Sequence, residues 1–338
     1  MSRPSLSVPS SLWPHRVAVL LCCATFPLIW AGGLVTTYDA GMAVPDWPST
    51  FGYNLWLYPW STWFSGPWDL FIEHGHRLLG TLVGILSIAF VVTVYRFERR
   101  LWMRRMAWIC LAGVLLQGAL GGARVLLDDR QLAMIHGCVG PSFFAFCAAL
   151  AVMTSRFWRE APVATMPGAG SGLDRLSVLT AGLALVQLLL GAQVRHISIM
   201  SGPGVFRAFV FFHLVVAAAL LVHALLLVAR TFRAKPRSTN LTRPAVSLAL
   251  LIGLQFVLGP ATWVVNYGWP TWLAEMPFAA GHIVQAKSFL QAMIVTAHVA
   301  VGSLVLAYSV VVAMRSFRFM RMDATALGST AMLVGLAT

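Results

Sequence analysis

Apolar residues gather in eight long stretches separated by shorter polar segments. A helix that crosses the hydrocarbon core of a membrane needs about 20 apolar residues. The pattern therefore predicts an all-α polytopic membrane protein with eight transmembrane helices. The predicted spans are residues 17–38, 70–95, 106–126, 132–154, 176–195, 207–229, 245–266 and 289–313. The tail at 322–338 is mildly apolar but too short to cross a membrane.

Basic residues alternate between the two sides of this predicted arrangement. Segments 96–105, 155–175 and 230–243 and the stretch after the last span each carry at least three Arg or Lys, whereas 39–69 carries none. Basic loops stay in the cytoplasm, so we expect these segments and both termini to face that side of a bacterial-type cell membrane. The net charge of +13 then reflects orientation in a lipid bilayer, and we expect no nucleic-acid partner.

The composition supports this class of protein. Only 10% of the residues are charged and 59% are hydrophobic, whereas soluble domains are about a quarter charged. The first outer segment, 39–69, is rich in Pro and Trp, which favours a folded cap at the level of the lipid headgroups. None of the five Cys lies in this segment.

A short motif recurs in the odd-numbered spans. Gln and Gly four residues apart occur at 117 and 121, at 187 and 191, and at 255 and 259, and the even-numbered span that follows each motif carries a His. The repeat predicts two four-helix bundles. We expect an N-terminal bundle at 17–154 and a C-terminal bundle at 176–313.

Four His stand at matched depths in the four even-numbered spans. Counting from the predicted outer ends, they lie about 7–14 Å into the membrane at 1.5 Å per residue. Two His on facing helices can bind one heme iron from opposite sides, and bundle cores commonly hold such sites. A single membrane His is more often a hydrogen-bonded packing residue. The four residues are His76, His136, His213 and His298.

Only the first bundle has an acidic residue close before one of these His, namely Glu73. It lies three residues before His76 and so shares a face of the helix with it. An acid within a membrane helix marks a functional site, and this one could take a proton or stabilise a developing cation. The matching position before His213 is Val210. We therefore expect the first bundle to react and Glu73 to be catalytic; the alternative is a plain ion pair with Arg77 or another Arg.

Four Arg lie at outer helix ends, against the trend of the other basic residues. Arg suits bidentate pairing with carboxylates, so we predict contacts with heme propionates or substrate; the alternative is snorkelling to lipid headgroups. These residues are Arg77, Arg124, Arg195 and Arg207. The role of His74, two residues before His76, is left open.

Together these motifs resemble the heme A synthase family. The resemblance rests on residues 41–48, with the sequence GMAVPDWP, and on residues 73–80, which contain Glu73, His76 and Arg77. It rests also on His136, His213 and His298 of the later even-numbered spans. It covers nearly all of 17–313 and implies an oxidoreductase of cytochrome oxidase assembly. The implied reaction oxidises one porphyrin methyl group of heme O to a formyl group through successive hydroxylations.

The resemblance also implies roles for residues and partners. His76 and His136 face the substrate heme O, Glu73 is catalytic, and His213 and His298 ligate heme b. Possible partners are heme O synthase, a farnesyltransferase, and the cytochrome oxidase assembly machinery. The electron acceptor stays open, with quinone as a candidate. Some family members carry a Cys pair in the first outer segment, which this chain lacks, so a thiol–disulfide role there is excluded.

Two other functions share the same four His. One is a diheme b-type membrane cytochrome that transfers electrons to or from quinone or ferric iron. The other is a heme carrier without turnover. The cytochrome would not require Glu73 or a folded outer segment.

Overall fold

The computed structural model describes residues 11–160, 172–234 and 238–334. Within these ranges eight helices are long and apolar enough to cross a membrane, which confirms the predicted fold class. We number them α1 to α8. They are α1 (Trp13–Thr37), α2 (Trp68–Phe97), α3 (Leu101–Leu126), α4 (Arg130–Thr154), α5 (Leu173–His196), α6 (Gly202–Arg233), α7 (Thr239–Tyr267) and α8 (Phe289–Val334).

The observed helices extend beyond the predicted spans, because apolar patterning detects only the part of a helix that lies in hydrocarbon. The α6 helix begins five residues before the predicted start at 207, and α8 continues past 313 to Val334. Much of the tail at 322–338 is thus a continuation of the last helix, while 335–338 lie outside the described residues. The longer outer ends place the four His about 9–17 Å from their helix starts.

The helices pack as two rings of four. In the first ring α1 contacts α2 and α4, and α3 lies between α2 and α4; in the second, α5 contacts α6 and α8, and α7 lies between them. The rings meet where α8 packs against α1 and α4, and where α4 packs against α5. The predicted pseudo-repeat and the division into two functional units stay predictions.

Each ring has an apolar core. One buried cluster contains residues of all four helices of the first ring, such as Leu21, Phe90 and Leu150. A second cluster fills the other ring through Leu220, Leu248 and their neighbours, and includes residues of α4 at the junction. In a membrane, close packing of this kind rather than exclusion of water stabilises the contacts between helices.

The first outer segment is a folded unit rather than a loose connection. It contains a 3₁₀ turn at Ala40–Met42 and a short helix at Trp60–Ser65. The carboxylate of Asp46 accepts hydrogen bonds from the backbone amides of Phe51 (2.8 Å) and Gly52 (2.9 Å), and from the Ser49 hydroxyl. Burial raises the pKa of Asp46, but these hydrogen bonds outweigh it and lower the pKa to about 2.

Aromatic residues cover the outside of this segment. The rings of Trp60 and Phe64 stack at 5.9 Å, and both side chains are more than half exposed. Exposed aromatic rings of this kind favour the level of the lipid headgroups. The location of the segment on the membrane surface, and the cytoplasmic position of both termini, stay predictions.

Candidate functional site

The first ring encloses a pair of facing imidazoles. His76 on α2 and His136 on α4 have ring centroids 6.4 Å apart, with the ring planes nearly perpendicular. A glycine of a neighbouring helix backs each ring: Gly32 of α1 lies behind His76, and Gly121 of α3 lies behind His136.

The second ring repeats this arrangement. His213 on α6 and His298 on α8 also have centroids 6.4 Å apart. Gly191 of α5 backs His213, and Gly259 of α7 lies behind His298. The structure therefore brings the four predicted His together in the two predicted pairs.

One observation distinguishes these imidazoles from ordinary packing residues. In all four, the buried Nδ1 atom makes no hydrogen bond within the described part of the chain. Buried polar atoms usually have a partner, so four orphaned nitrogens at matched positions need an explanation. Among the described residues there is also no cluster of three or more His, Cys, Asp or Glu. The metal-binding potential of these two sites therefore rests on facing pairs of His.

The glutamines of the repeated motif hold the same helices. The side-chain amide of Gln117 donates to the backbone carbonyl of His136 at 3.3 Å, and that of Gln255 donates to the carbonyl of His298 at 2.7 Å. In the third motif the side-chain nitrogen Nε2 of Gln187 instead lies 3.2 Å from the ring nitrogen Nε2 of His213. Each Gln–Gly motif of the odd helices thus contacts the His of the following even helix, which gives the sequence repeat a structural meaning.

Glu73 lies on α2 near the first pair and is only 2% exposed. Its Oε1 accepts a hydrogen bond from Nε of Arg77 at 3.1 Å, and its Oε2 lies 3.5 Å from Nη2 of Arg124. Oε2 makes no hydrogen bond of normal geometry. The expected ion pair with Arg77 therefore exists, yet one carboxylate oxygen keeps the capacity to accept a proton or a hydrogen bond.

Arg77 connects this acid to the first outer segment. Its Nη1 donates to the carbonyls of Asp46 (2.6 Å) and Ser49 (2.8 Å), and its Nη2 donates to that of Val44 (2.7 Å). With the bond to Glu73, four of its five N–H groups are used. The sequence predicts a propionate or substrate contact for Arg77 but not this anchoring role, for which the unusual GMAVPDWP stretch is the signal.

Two glycines let the segment seat closely on α3. A methyl group on Gly41 would overlap Nη1 of Arg124, and a methyl group on Gly122 would overlap the indole of Trp47. The guanidinium of Arg124 thus lies between the outer segment and the carboxylate of Glu73.

The other two predicted cations lie elsewhere. Arg195 on α5 donates to the carbonyl of Gly33 (3.2 Å) and to the hydroxyl of Thr37 (2.9 Å), both on α1, so it bridges the two rings. Arg207 is exposed and donates to the carbonyl of Pro203 in its own helix. The propionate contacts of these residues stay predictions.

His74 contacts the outer segment rather than the imidazole pair. It is 2% exposed, its Nδ1 lies 3.0 Å from Oγ1 of Thr50, and its ring packs against Tyr58 and Trp63. Residues two apart on a helix point to different faces, which explains why two nearby His have different surroundings.

These features define a polytopic membrane protein with two buried imidazole pairs and one acid beside the first. The COX15-CtaA family model, described as cytochrome oxidase assembly protein, matches residues 68–201. A heme A synthase of Symbiobacterium thermophilum is 32% identical over 186 residues, which cover 50% of this chain and 55% of the relative. A heme A synthase of Shouchella clausii is 25% identical over 185 residues, which cover 54% of this chain and 58% of the relative.

Over these residues the chain is similar to heme A synthases and to the cytochrome oxidase assembly family model. It spans a little over half the length of the curated relatives that it matches. The match at 68–201 includes Glu73, His76, Arg124 and His136, and so contains the imidazole pair and the acid of the first ring.

The paired imidazoles fit iron porphyrins, the group that the similarity to heme A synthases implies. With metal–nitrogen bonds of about 2.0 Å, as imidazole makes to zinc, and about 1.1 Å from ring centroid to nitrogen, two axial ligands have centroids about 6 Å apart. Both pairs have this spacing, at 6.4 Å. Imidazole is a usual axial ligand of heme iron. The residues present therefore suit one heme for each pair.

Proposed function

We propose that this protein is a heme A synthase, which oxidises one methyl group of heme O to a formyl group in the first ring. The observation that carries the proposal is the asymmetry between two otherwise similar imidazole pairs. Glu73 lies three residues before His76, whereas the apolar Val210 takes the same place before His213. A purely electron-transferring site has no need for a buried acid, while an oxidation at a porphyrin edge can use one.

Each residue has a distinct part in this proposal. His76 and His136 bind the iron of the substrate heme O, and His213 and His298 bind a resident heme b. That heme supplies one-electron transfer when it is bound. The carboxylate of Glu73, held through Oε1 by Arg77, keeps Oε2 available to accept a proton or to stabilise positive charge that develops beside the reacting methyl group.

The first outer segment would complete the reaction site. Arg77 and His74 anchor it to α2, and Gly122 allows it to pack on α3. A cover held in this way excludes water from the carboxylate, which strengthens its electrostatic effect. Among the cations, Arg124 and Arg195 would neutralise propionates. The absence of a close ion pair with any acid other than Glu73 in the described residues supports this role.

The experiment is to express the protein with a source of heme O and to identify the extracted pigments. We expect heme A from the wild type and at least a hundredfold less from Glu73→Gln, at the lower end of what acid–base catalysis contributes. Glu98→Gln is the matched control, because Glu98 is a buried acid near the other end of α2 and pairs with Arg100 at 2.6 Å. Absence of heme A from the wild type would refute the proposal.

We further propose that the protein receives heme O from a heme O synthase and acts within cytochrome oxidase assembly, in line with the description of the family model that it matches. A diheme cytochrome remains the competing function to test. It would bind heme through the same four His but would make no heme A and would tolerate Glu73→Gln without loss of its redox activity.

A further inference from the structure

We propose that three glycines of the odd helices, Gly32, Gly121 and Gly191, are positioning residues for the heme ligands. Each would lack a side chain so that an imidazole of the neighbouring even helix can lie directly against the helix backbone, which fixes the orientation of the ring. The inference rests on the heme sites of the proposed function, and it extends them to residues that do not touch the heme.

The contacts are closer than a side chain would permit. A methyl carbon would lie 3.0 Å from Cε1 of His76 if built on Gly32, 3.2 Å from Cε1 of His136 on Gly121, and 3.1 Å from Cε1 of His213 on Gly191. Separations of 3.0–3.4 Å are tighter than nine in ten real contacts of a Cβ atom. Alanine at any of the three positions would therefore push the ring by a few tenths of an ångström.

The glycines also let each ring come close to a backbone carbonyl of the neighbouring helix. Metal-bound His usually donates its second ring N–H to a partner that sets its orientation, and loss of that partner costs about 10–100-fold in metal affinity. In the described chain none of the buried Nδ1 atoms makes a hydrogen bond of normal geometry. Instead each ring lies beside a backbone carbonyl four residues before the glycine. These carbonyls belong to Leu28, Gln117 and Gln187.

The fourth position differs in a way that makes the inference testable. A methyl carbon on Gly259 would lie 3.7 Å from Cε1 of His298, which is an ordinary van der Waals distance. Alanine is therefore tolerated at Gly259 but not at Gly191, although both glycines belong to the same repeated motif in the same ring. Proximity to a heme ligand alone would predict equal effects at the two positions.

The experiment compares Gly191→Ala and Gly259→Ala in the purified full-length protein. Bound b-type heme is measured by pigment extraction, and its ligation by the low-spin ferric signal in electron paramagnetic resonance. We expect Gly191→Ala to weaken heme retention at least about tenfold and to alter the low-spin signal. Gly259→Ala should keep the wild-type signal. Gly182→Ala on α5 is the matched control, because its methyl group would meet nothing within 4 Å.

A double variant covers the case in which Gly191→Ala does not fold. Alanine is a better helix former than glycine, so a folding defect would have to come from the clash with the ring. Gly191→Ala combined with His213→Ala should then fold as well as His213→Ala alone, because the ring has been removed. A double variant as unstable as Gly191→Ala would overturn the inference, as would equal signals from Gly191→Ala and Gly182→Ala.

The result also separates this inference from the proposed function. A wild type that shows bis-imidazole heme but makes no heme A would refute the enzyme assignment and leave the role of the glycines standing. Conversely, heme A production together with an unperturbed Gly191→Ala signal would refute the role of Gly191 alone. The same comparison applies to Gly32 and Gly121 in the first ring, with heme O retention as the measurement.

Discussion

Arg77→Ala should release the first outer segment from the membrane helices. The guanidinium of Arg77 donates to three backbone carbonyls of that segment and to the carboxylate of Glu73. Its side chain is 8% exposed and that of Glu73 is 2% exposed. A truncation at this position therefore leaves part-buried carbonyls without a donor and a buried acid that keeps only its more distant cation.

The magnitude follows from these contacts. Removal of one partner of a buried ion pair costs about 3–5 kcal/mol, and a factor of ten in an equilibrium corresponds to about 1.4 kcal/mol. Arg124, 3.5 Å from Oε2 of Glu73, compensates part of the loss. We therefore take the lower limit and expect opening of the segment to become at least about a hundredfold more favourable.

Amide hydrogen exchange of peptides within residues 43–58 measures this opening directly. Arg77→Ala should raise exchange there, while Arg96→Ala, an exposed cation near the other end of α2, should not. Arg77→Lys should fall between them, because an ammonium group keeps the charge but not the planar fork of donors. Exchange in Arg77→Ala equal to that in Arg96→Ala would refute the anchoring role.

A second variant separates the two causes of release. If lost donors to the carbonyls open the segment, Glu73→Gln combined with Arg77→Ala should stay open. If the uncompensated carboxylate is responsible, the same double variant should close again, because its acid has been neutralised. Either result is read from the same exchange measurement.

Three further predictions concern the same segment. The pKa of Asp46 is lowered from 3.8 to about 2, so its carboxylate stabilises the fold fully above about pH 4 and progressively less as the pH falls towards 2. Amide exchange in the segment should therefore rise as the pH falls from about 4 to about 2. Asp46→Asn should abolish this pH dependence. His74→Phe removes a buried hydrogen bond but keeps an aromatic ring, so we expect the segment to lose about 1 kcal/mol of stability, measured by amide exchange. Binding of b-type heme, measured by absorption, should be unchanged. Gly122→Ala should raise exchange in the segment, whereas Gly118→Ala, whose methyl group meets nothing within 4 Å, should not.

The membrane architecture could be predicted from the sequence because it depends on local composition. Apolar stretches define the spans, and the matched depth of His in alternate spans predicted which imidazoles would face each other. The 6.4 Å spacing of both pairs agrees with that pairing. Helix ends were less predictable. The α8 helix continues for some twenty residues beyond the predicted end, because the backbone hydrogen bonds of a helix can continue outside the hydrocarbon core of the membrane.

The contacts of the site could not be predicted, because they join residues far apart in the chain. Arg77 was expected to meet a propionate, but its donors are used by a segment about thirty residues earlier. The glycine of each repeated motif was known to recur, yet only the crossing of the helices shows that it faces an imidazole. A repeat in sequence thus indicated that these positions matter without indicating what they touch.

Spectroscopy of single His variants tests the central claim most directly, namely that each ring binds one iron porphyrin through its own pair of imidazoles. We predict that purified His213→Ala loses the bis-imidazole signal of heme b, while His76→Ala keeps that signal and loses the binding of heme O. A His213→Ala protein that retains the full bis-imidazole heme b spectrum would contradict the claim.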